Sequence, residues 1–186
     1  MQINNQDGWC DGVNHCPSPH FNERPAGEAV SLLVIHNISL PPGEFGGGHV
    51  HTFFQGHLDL NLHPYFADIV ALKVSAHFLV ERDGAVTQFV SCLKRAWHAG
   101  RSEFAGRPEC NDYSIGIELE GTDDLAFTSA QYDALQQLTQ ALQRAYPAIT
   151  QYRITGHEFI APGRKTDPGL AFDWQRYFRS LKEAQS

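Results

Sequence analysis

In "TGHEFIAPGRKTDPG", residues 155–169, an imidazole (His157), an ammonium (Lys165) and a carboxylate (Asp167) fall close together. Pro162, Gly163, Pro168 and Gly169 make the segment a poor helix and a poor strand, so it reads as a stiff loop. Two more polar groups stand at the ends of strand-like runs: His36, which closes "AVSLLVIH", and Glu118 in "YSIGIELEG". Taken singly, each has a plain reading. A histidine closing an apolar strand is usually a hydrogen-bonded core or turn residue, and Glu118 with Glu120 suits the wet face of an edge strand.

Together they suit metal-assisted hydrolysis. Catalytic zinc commonly takes three protein ligands from histidine and carboxylate and leaves one position for water. His36, His157 and Asp167 supply that set. Zinc lowers the pKa of such a water to about 7. Amide hydrolysis also needs a base that takes the water proton and returns one to the leaving amine, a task for Glu118. Lys165, two residues before Asp167, can stabilise a developing oxyanion. No H-E-x-x-H helix is present, so these groups can converge only through the fold.

The elements that must position them are legible in the patterning. The run 29–36 is almost continuously apolar and reads as a central strand buried on both faces. The stretch 37–62, with Pro41, Pro42 and several glycines, reads as a long loop. The stretch 46–63 carries His49, His51, His57 and His63 without a metal-ligand spacing, which favours a Gly-rich surface loop over a metal site. "HPYFADIVALK" suits a short helix from Pro64. Residues 74–90 read as a hairpin with a tight primed turn at Asp83-Gly84. In the strand 113–121, period-two alternation puts Ile115, Ile117 and Leu119 on one face and Gly116, Glu118 and Glu120 on the other.

Thr128 and Gln131 form a capping box, Phe127 can staple to Tyr132, and Tyr132, Leu135, Leu138, Leu142 and Tyr146 make an apolar helical stripe ended by Pro147. "QYRITGH" reads as a last strand. "FDWQRYFRSLKEA" reads as a terminal helix capped by Asp173 that buries Trp174, Tyr177, Phe178 and Leu181. The order predicts an α/β fold, a mixed central β-sheet flanked by helices in a single domain over residues 1–186, with residues 1–17 as an irregular extension.

Composition excludes some classes of function. A formal charge of −7 argues against nucleic acid or an anionic membrane as partner. No apolar run approaches a membrane span, and "MQINNQDGWCDGVNHCPSPH" has no basic start followed by an apolar stretch, so a cytoplasmic chain is expected. Cys10, Cys16, Cys92 and Cys110 then read as free thiols.

Five ordered blocks, "LLVIHNISLPPGEFGG", "VSAHFLV", "KRAWHAG", "CNDYSIGIELEGTD" and "TGHEFIAPGRKTDPG", resemble the zinc-dependent N-acetylmuramoyl-L-alanine amidases. The resemblance is nearest to the cytoplasmic branch that acts on 1,6-anhydro-muropeptides in peptidoglycan recycling. It runs from "SPHFNERP" at 18–25 to "AFDW" at 171–174. It implies cleavage of the amide between the lactyl group of N-acetylmuramic acid and L-alanine by a monomer holding Zn2+. It assigns His36, His157 and Asp167 as zinc ligands, Glu118 rather than Glu120 as base, and Lys165 as oxyanion stabiliser. Aspartate as third ligand fits this branch, where phage and animal relatives often carry cysteine.

The resemblance places Asn37 and Trp97 in blocks that line the substrate groove, although Trp97 equally suits the core. His77 and His98 recur there without being ligands. Lys73 and Arg107 are candidate cations for substrate carboxylates, although surface cations are usually just solvated. Glu109 stands where a basic residue is expected. The 37–62 loop would lie over the site, with Phe53 and Phe54 packing it down rather than touching sugar. Two other readings stay open: an amidase acting on intact peptidoglycan, and a recognition module that binds muropeptide without cutting it. The intact set His36, His157, Asp167, Glu118 and Lys165 disfavours the latter.

Overall fold

A computed structural model describes residues 1–183. Its centre is a mixed six-stranded sheet of β1 (Asn14–His15), β2 (Leu32–Ile38), β3 (Phe78–Val80), β4 (Val86–Gln88), β5 (Ser114–Glu120) and β6 (Ile154–Gly156). The spatial order is β6-β2-β5-β3-β4-β1. The first four strands of that order run parallel, β4 is antiparallel to β3, and β1 pairs parallel with β4.

β2 and β5 lie in the middle, and both sheet faces there are covered, which is why their sequences read as near-continuous apolar runs. Leu33, Ile35, Ile115, Ile117 and Leu119 enter one core. Leu32 and Val34 enter another on the opposite face, with Tyr113 and Ile160. The expected alternation of β5 is therefore present, but Glu118 and Glu120 are buried residues of a central strand, not the wet face of an edge.

Among the described residues five α-helices accompany the sheet: α1 (His49–Phe54), α2 (Phe66–Ile69), α3 (Ser129–Ala145), α4 (His157–Ile160) and α5 (Trp174–Glu183). The Thr128–Gln131 capping box is formed in both directions at the start of α3. Phe127 and Tyr132 both pack on the ring of Phe172. Leu135, Leu138 and Leu142 face the sheet core along with Tyr177 and Leu181 of α5. Asp173 Oδ1 accepts from the Arg176 amide at 2.9 Å and so caps α5. Trp174 and Phe178 are only half-buried, and Ala184, expected to end this helix, lies outside the described residues.

Several boundaries differ from expectation, for physical reasons. β2 begins at Leu32 and continues past His36 to Ile38, because β5 keeps pairing with it through Leu119–Asn37 and Glu120–Ile38. The stretch 37–62 is not one loop: Val50, Phe53 and Phe54 bury their side chains as helix α1, and Phe53 and Phe54 do pack down. The 81–85 turn is not primed. Gly84 alone has positive φ (87°), its amide bonds to Glu81 O at 2.9 Å, and Asp83 caps Ala85 N instead of adopting the left-handed region. The last strand shrinks to Ile154–Gly156 because Gln151–Arg153 turn as a 3-10 helix and His157 opens α4. Residues 1–17, read as an irregular extension, contribute the ribbon Gln2–Ile3/Cys10–Asp11 and strand β1. No helix of the described residues is long and apolar enough to cross a membrane.

Candidate active site

Three neighbouring parallel strands deliver the site at their C-terminal ends, where an open α/β sheet presents its crevice. The β2–β5 register pairs His36 directly with Glu118, and the β6–β2 register pairs Ile35 with Gly156, so that His157 follows beside His36. The 161–169 loop returns across them, with Asp167 O accepting from Glu158 N at 2.9 Å and Pro168 O accepting from Asn37 Nδ2 at 3.0 Å.

The outcome is a triangle of donor atoms. His36 Nδ1 lies 3.0 Å from His157 Nδ1 and 2.9 Å from Asp167 Oδ2, and the third side, His157 Nδ1 to Asp167 Oδ2, is 3.0 Å. No other group of three or more metal-binding side chains converges in this way among the described residues. The donor set fits a divalent cation. Zinc bonds of about 2.0–2.2 Å in a tetrahedron put neighbouring donors roughly 3.3–3.5 Å apart, close to these edges. The far nitrogen of His157 faces the Ala99 carbonyl at 3.0 Å. A carbonyl only accepts, so His157 carries its hydrogen there and turns a bare lone pair toward Oδ2. Two electron-rich atoms at 3.0 Å are stable only with a cation or a shared proton between them.

These donors open into a cleft of about 360 Å³. Glu118 lines it, and its Oε2 is buried without a hydrogen-bond partner. Lys165 lines the mouth and Trp97 a side wall, with the Trp97 indole N–H given to Asn22 Oδ1 at 2.6 Å. Trp97 is thus half-exposed groove wall rather than core. The lining also includes the apolar side chains of Ile38, Leu40, Phe53 and Leu72. Phe53 and Phe54 therefore both pack α1 down and form part of the cleft. Asn37 also lines it, but its amide is committed to Asp123 Oδ1 (2.7 Å) and to Pro168 O, which tethers the Asp167 loop.

The remaining expected residues lie elsewhere. Glu120 accepts from Gly46 N (2.7 Å) and Arg82 N (3.2 Å), which ties down the start of the 40s segment. Lys73 is exposed at the rim, between the cleft residues Leu72 and Val74. Arg107 is outside the cleft lining: it pairs with Glu28 and stacks over the Tyr113 ring at 4.0 Å. Glu109 turns to Arg95, 3.5 Å away. Sequence reasoning passed over Arg24, whose guanidinium donates to the carbonyls of Asn111, Asp112 and Ser114, and Asn111 itself. Both stand inside blocks already singled out, but an asparagine that serves backbone amides has no motif of its own.

Burial controls the titration here. It lowers His36 to about 4, with His157 and Lys165 lowering it further and Asp167 opposing. Burial and the Arg24 charge take His77 to about 3. Burial raises Glu118 well above the usual carboxylate range, reinforced by Asp167 and opposed by Lys165. For Asp167 burial pushes upward, but the two imidazoles against its Oδ2, His157 and His36, win and hold the carboxyl far below its ordinary value. Both histidines titrate near 6.5 in an unfolded chain. Between that value and about 4 the unfolded chain binds protons that the fold refuses. The histidines' contribution to stability is therefore complete above pH 6.5 and is lost as pH falls, by about 1.4 kcal/mol per pH unit for each histidine. The expected result is a melting temperature of metal-free protein that drops steadily from pH 7 to 4.5, with a shallower slope in His77→Gln. A flat profile would show that these rings are not held neutral.

Comparison with known proteins shows the family. A family described as N-acetylmuramoyl-L-alanine amidase (Amidase_2) matches residues 26–170. The 1,6-anhydro-N-acetylmuramyl-L-alanine amidase AmpD of Haemophilus influenzae is 58% identical over 177 residues, covering 95% of this chain and 96% of its own length. The crystal structure of a selenomethionine AmpD derivative superposes with a TM-score of 0.93 at 55% identity, covering 97% of this chain and 99% of that one. The amidase AmiD from E. coli, solved in complex with the substrate anhydro-N-acetylmuramic acid-L-Ala-D-gamma-Glu-L-Lys, aligns at 28% identity with a TM-score of 0.60, over 87% of this chain and 65% of AmiD. The chain belongs to the N-acetylmuramoyl-L-alanine amidase family, on its AmpD-type branch.

Proposed function

We propose that this protein hydrolyses the amide between the lactyl group of 1,6-anhydro-N-acetylmuramic acid and L-alanine, freeing the stem peptide from soluble muropeptides during cell-wall recycling. One observation carries the reading: a three-donor cation site and the unpartnered, buried Oε2 of Glu118 meet in a single cleft. The similarity to AmpD over nearly the whole chain supports it, as does the substrate bound to AmiD.

His36, His157 and Asp167 would hold Zn2+, which when bound supplies Lewis acidity and lowers the pKa of water. Glu118 takes a proton from the attacking water and returns one to the alanine nitrogen as the C–N bond breaks, a role that suits a carboxyl with a raised pKa. Lys165 presents its ammonium at the cleft mouth to the developing oxyanion. Lys165→Met is expected to lower kcat about a hundred- to thousandfold with little change in KM. An equal rise in KM with kcat unchanged would make Lys165 a binding residue. Asn37 acts through the loop it tethers, Trp97 and the apolar lining seat the sugar, and Lys73 at the rim meets stem-peptide carboxylates. Arg107, engaged by Glu28, takes no part. The protein acts as a monomer in the cytoplasm, a setting in keeping with the free thiols of Cys10, Cys92 and Cys110.

The test is mass spectrometry after incubation with a 1,6-anhydro-muramyl tripeptide and with its non-anhydro counterpart, each with and without a zinc chelator. Tripeptide released from the anhydro substrate alone, and abolished by the chelator, supports the recycling amidase. Equal cleavage of both moves the role toward intact wall. Binding without cleavage by zinc-loaded protein leaves a recognition module.

A further inference from the structure

Both histidines of the donor triangle are held from behind by one short segment of chain. Asn111 is buried, and its Oδ1 accepts two successive amides, from His98 at 3.2 Å and from Ala99 at 2.8 Å. From that fastening, His98 Nδ1 meets His36 Nε2 at 2.9 Å, and the Ala99 carbonyl meets His157 Nε2 at 3.0 Å. The far nitrogen of His98 meets Ser114 Oγ at 3.0 Å. The His98 ring lies directly over Gly116, where a Cβ would come within 2.5 Å of its Cγ. Asn111 is itself fixed, because Arg24 Nη1 donates to its carbonyl at 3.1 Å.

The bonding capacity of an imidazole makes this arrangement consequential. A neutral ring has one hydrogen, and the nitrogen that carries it cannot bind a metal. His36 has two competing acceptors, Asp167 Oδ2 beside its Nδ1 and His98 beside its Nε2. With the hydrogen on Nδ1, His36 would bond to Asp167 and close the triangle to a cation. With the hydrogen on Nε2, it bonds to His98 Nδ1, and His98 then carries its own hydrogen on Nε2 and gives it to Ser114 Oγ. For His157 the Ala99 carbonyl makes the same choice without an intermediary.

We propose that the His98–Ala99 step, fastened by Asn111 and backed by Ser114, is a positioning element that holds His36 and His157 as Nε2–H tautomers, with both Nδ1 lone pairs turned to the centre of the donor triangle. It rests on the reading of that triangle as the zinc site of the amidase. His98 positions His36, the Ala99 carbonyl, which also accepts from Arg164 Nη2 at 2.6 Å, positions His157, and Asn111 fastens both. Such outer partners are commonly worth ten- to a hundredfold in metal affinity.

The experiment pairs zinc affinity, measured by competition with a chromophoric chelator, with nitrogen-resolved NMR of the imidazoles in metal-free protein. His98→Phe, which keeps a ring but no acceptor, is expected to weaken zinc binding about ten- to a hundredfold and to shift the His36 hydrogen toward Nδ1 while His157 is unchanged. His98→Asn, whose Oδ1 can stand near the lost Nδ1, should restore most of the affinity. Asn111→Ala should disturb both rings. Wild-type affinity and an unchanged His36 spectrum in His98→Phe would overturn the proposal and leave the zinc reading intact. Wild-type protein that binds no zinc would sink the zinc reading, and the metal-free spectra would still decide the tautomers. Should His98→Phe fail to fold, a wild-type spectrum with the hydrogen on Nδ1 of either ring would overturn the proposal by itself.

Discussion

Glu118→Gln, with zinc bound, is expected to lower kcat by about a hundred- to ten-thousandfold and to leave KM nearly unchanged. Glutamine matches the shape of glutamate and fits the same buried position on β5, so the strand and its pairing with His36 survive. What it lacks is a site that can take a proton and give it back. Burial first, and the Asp167 charge second, raise the Glu118 carboxyl well above its ordinary range, with Lys165 opposing. That direction brings the group toward neutral pH, where proton transfer is most effective. The acidic limb of the rate–pH profile should therefore disappear with the substitution.

A stability effect accompanies the kinetic one. Because the folded-state value is raised, the unfolded chain releases this proton first, and the metal-free fold loses stability as pH rises from about 4.3 through the folded-state value. Glu118→Gln removes that loss, so the metal-free variant should melt higher than wild type at neutral pH. Steady-state kinetics with calorimetry checks both. Turnover near the wild-type rate would remove Glu118 as the proton carrier. Glu120 is no substitute, because its oxygens are engaged by Gly46 N and Arg82 N.

Asp167→Ala should strip the protein of zinc on dialysis and lower kcat/KM by at least about a thousandfold, since Lewis-acid stabilisation is worth several kcal/mol and each 1.36 kcal/mol is tenfold in rate. Asp167 brings the only formal negative charge within the donor triangle. Without it, two imidazole nitrogens face one another at 3.0 Å and a divalent ion gains no charge compensation. The backbone of the loop should keep its place, because the bonds from Glu158 N to Asp167 O and from Asn37 to Pro168 O do not use the carboxylate. Zinc content by mass spectrometry, read beside activity and a melting curve, separates loss of metal from loss of fold. Full zinc occupancy with wild-type turnover would take Asp167 out of the ligand set.

Much of this was legible in residue order. The apolar run of β2, the alternation of β5, the Thr128 capping box and the Asp173 cap are local patterns, and local patterns report burial and end-chemistry one segment at a time. The donor types were legible as well, because hydrolysis by a metal needs imidazole and carboxylate whatever the fold. Their convergence was not. His36 and His157 are separated by 121 positions, and only the parallel pairing of β6 with β2 sets them 3.0 Å apart. Non-local pairing of β5 with β2 and β3 likewise made Glu118 a buried central residue when its alternation suited an exposed edge. Arg107 went to Glu28, Glu109 to Arg95 and Trp97 to the cleft wall for reasons no spacing encodes. Asn111 is the clearest case. Its value lies wholly in two amides brought to it by a turn in another part of the chain, so its sequence neighbourhood could name the residue but not its use.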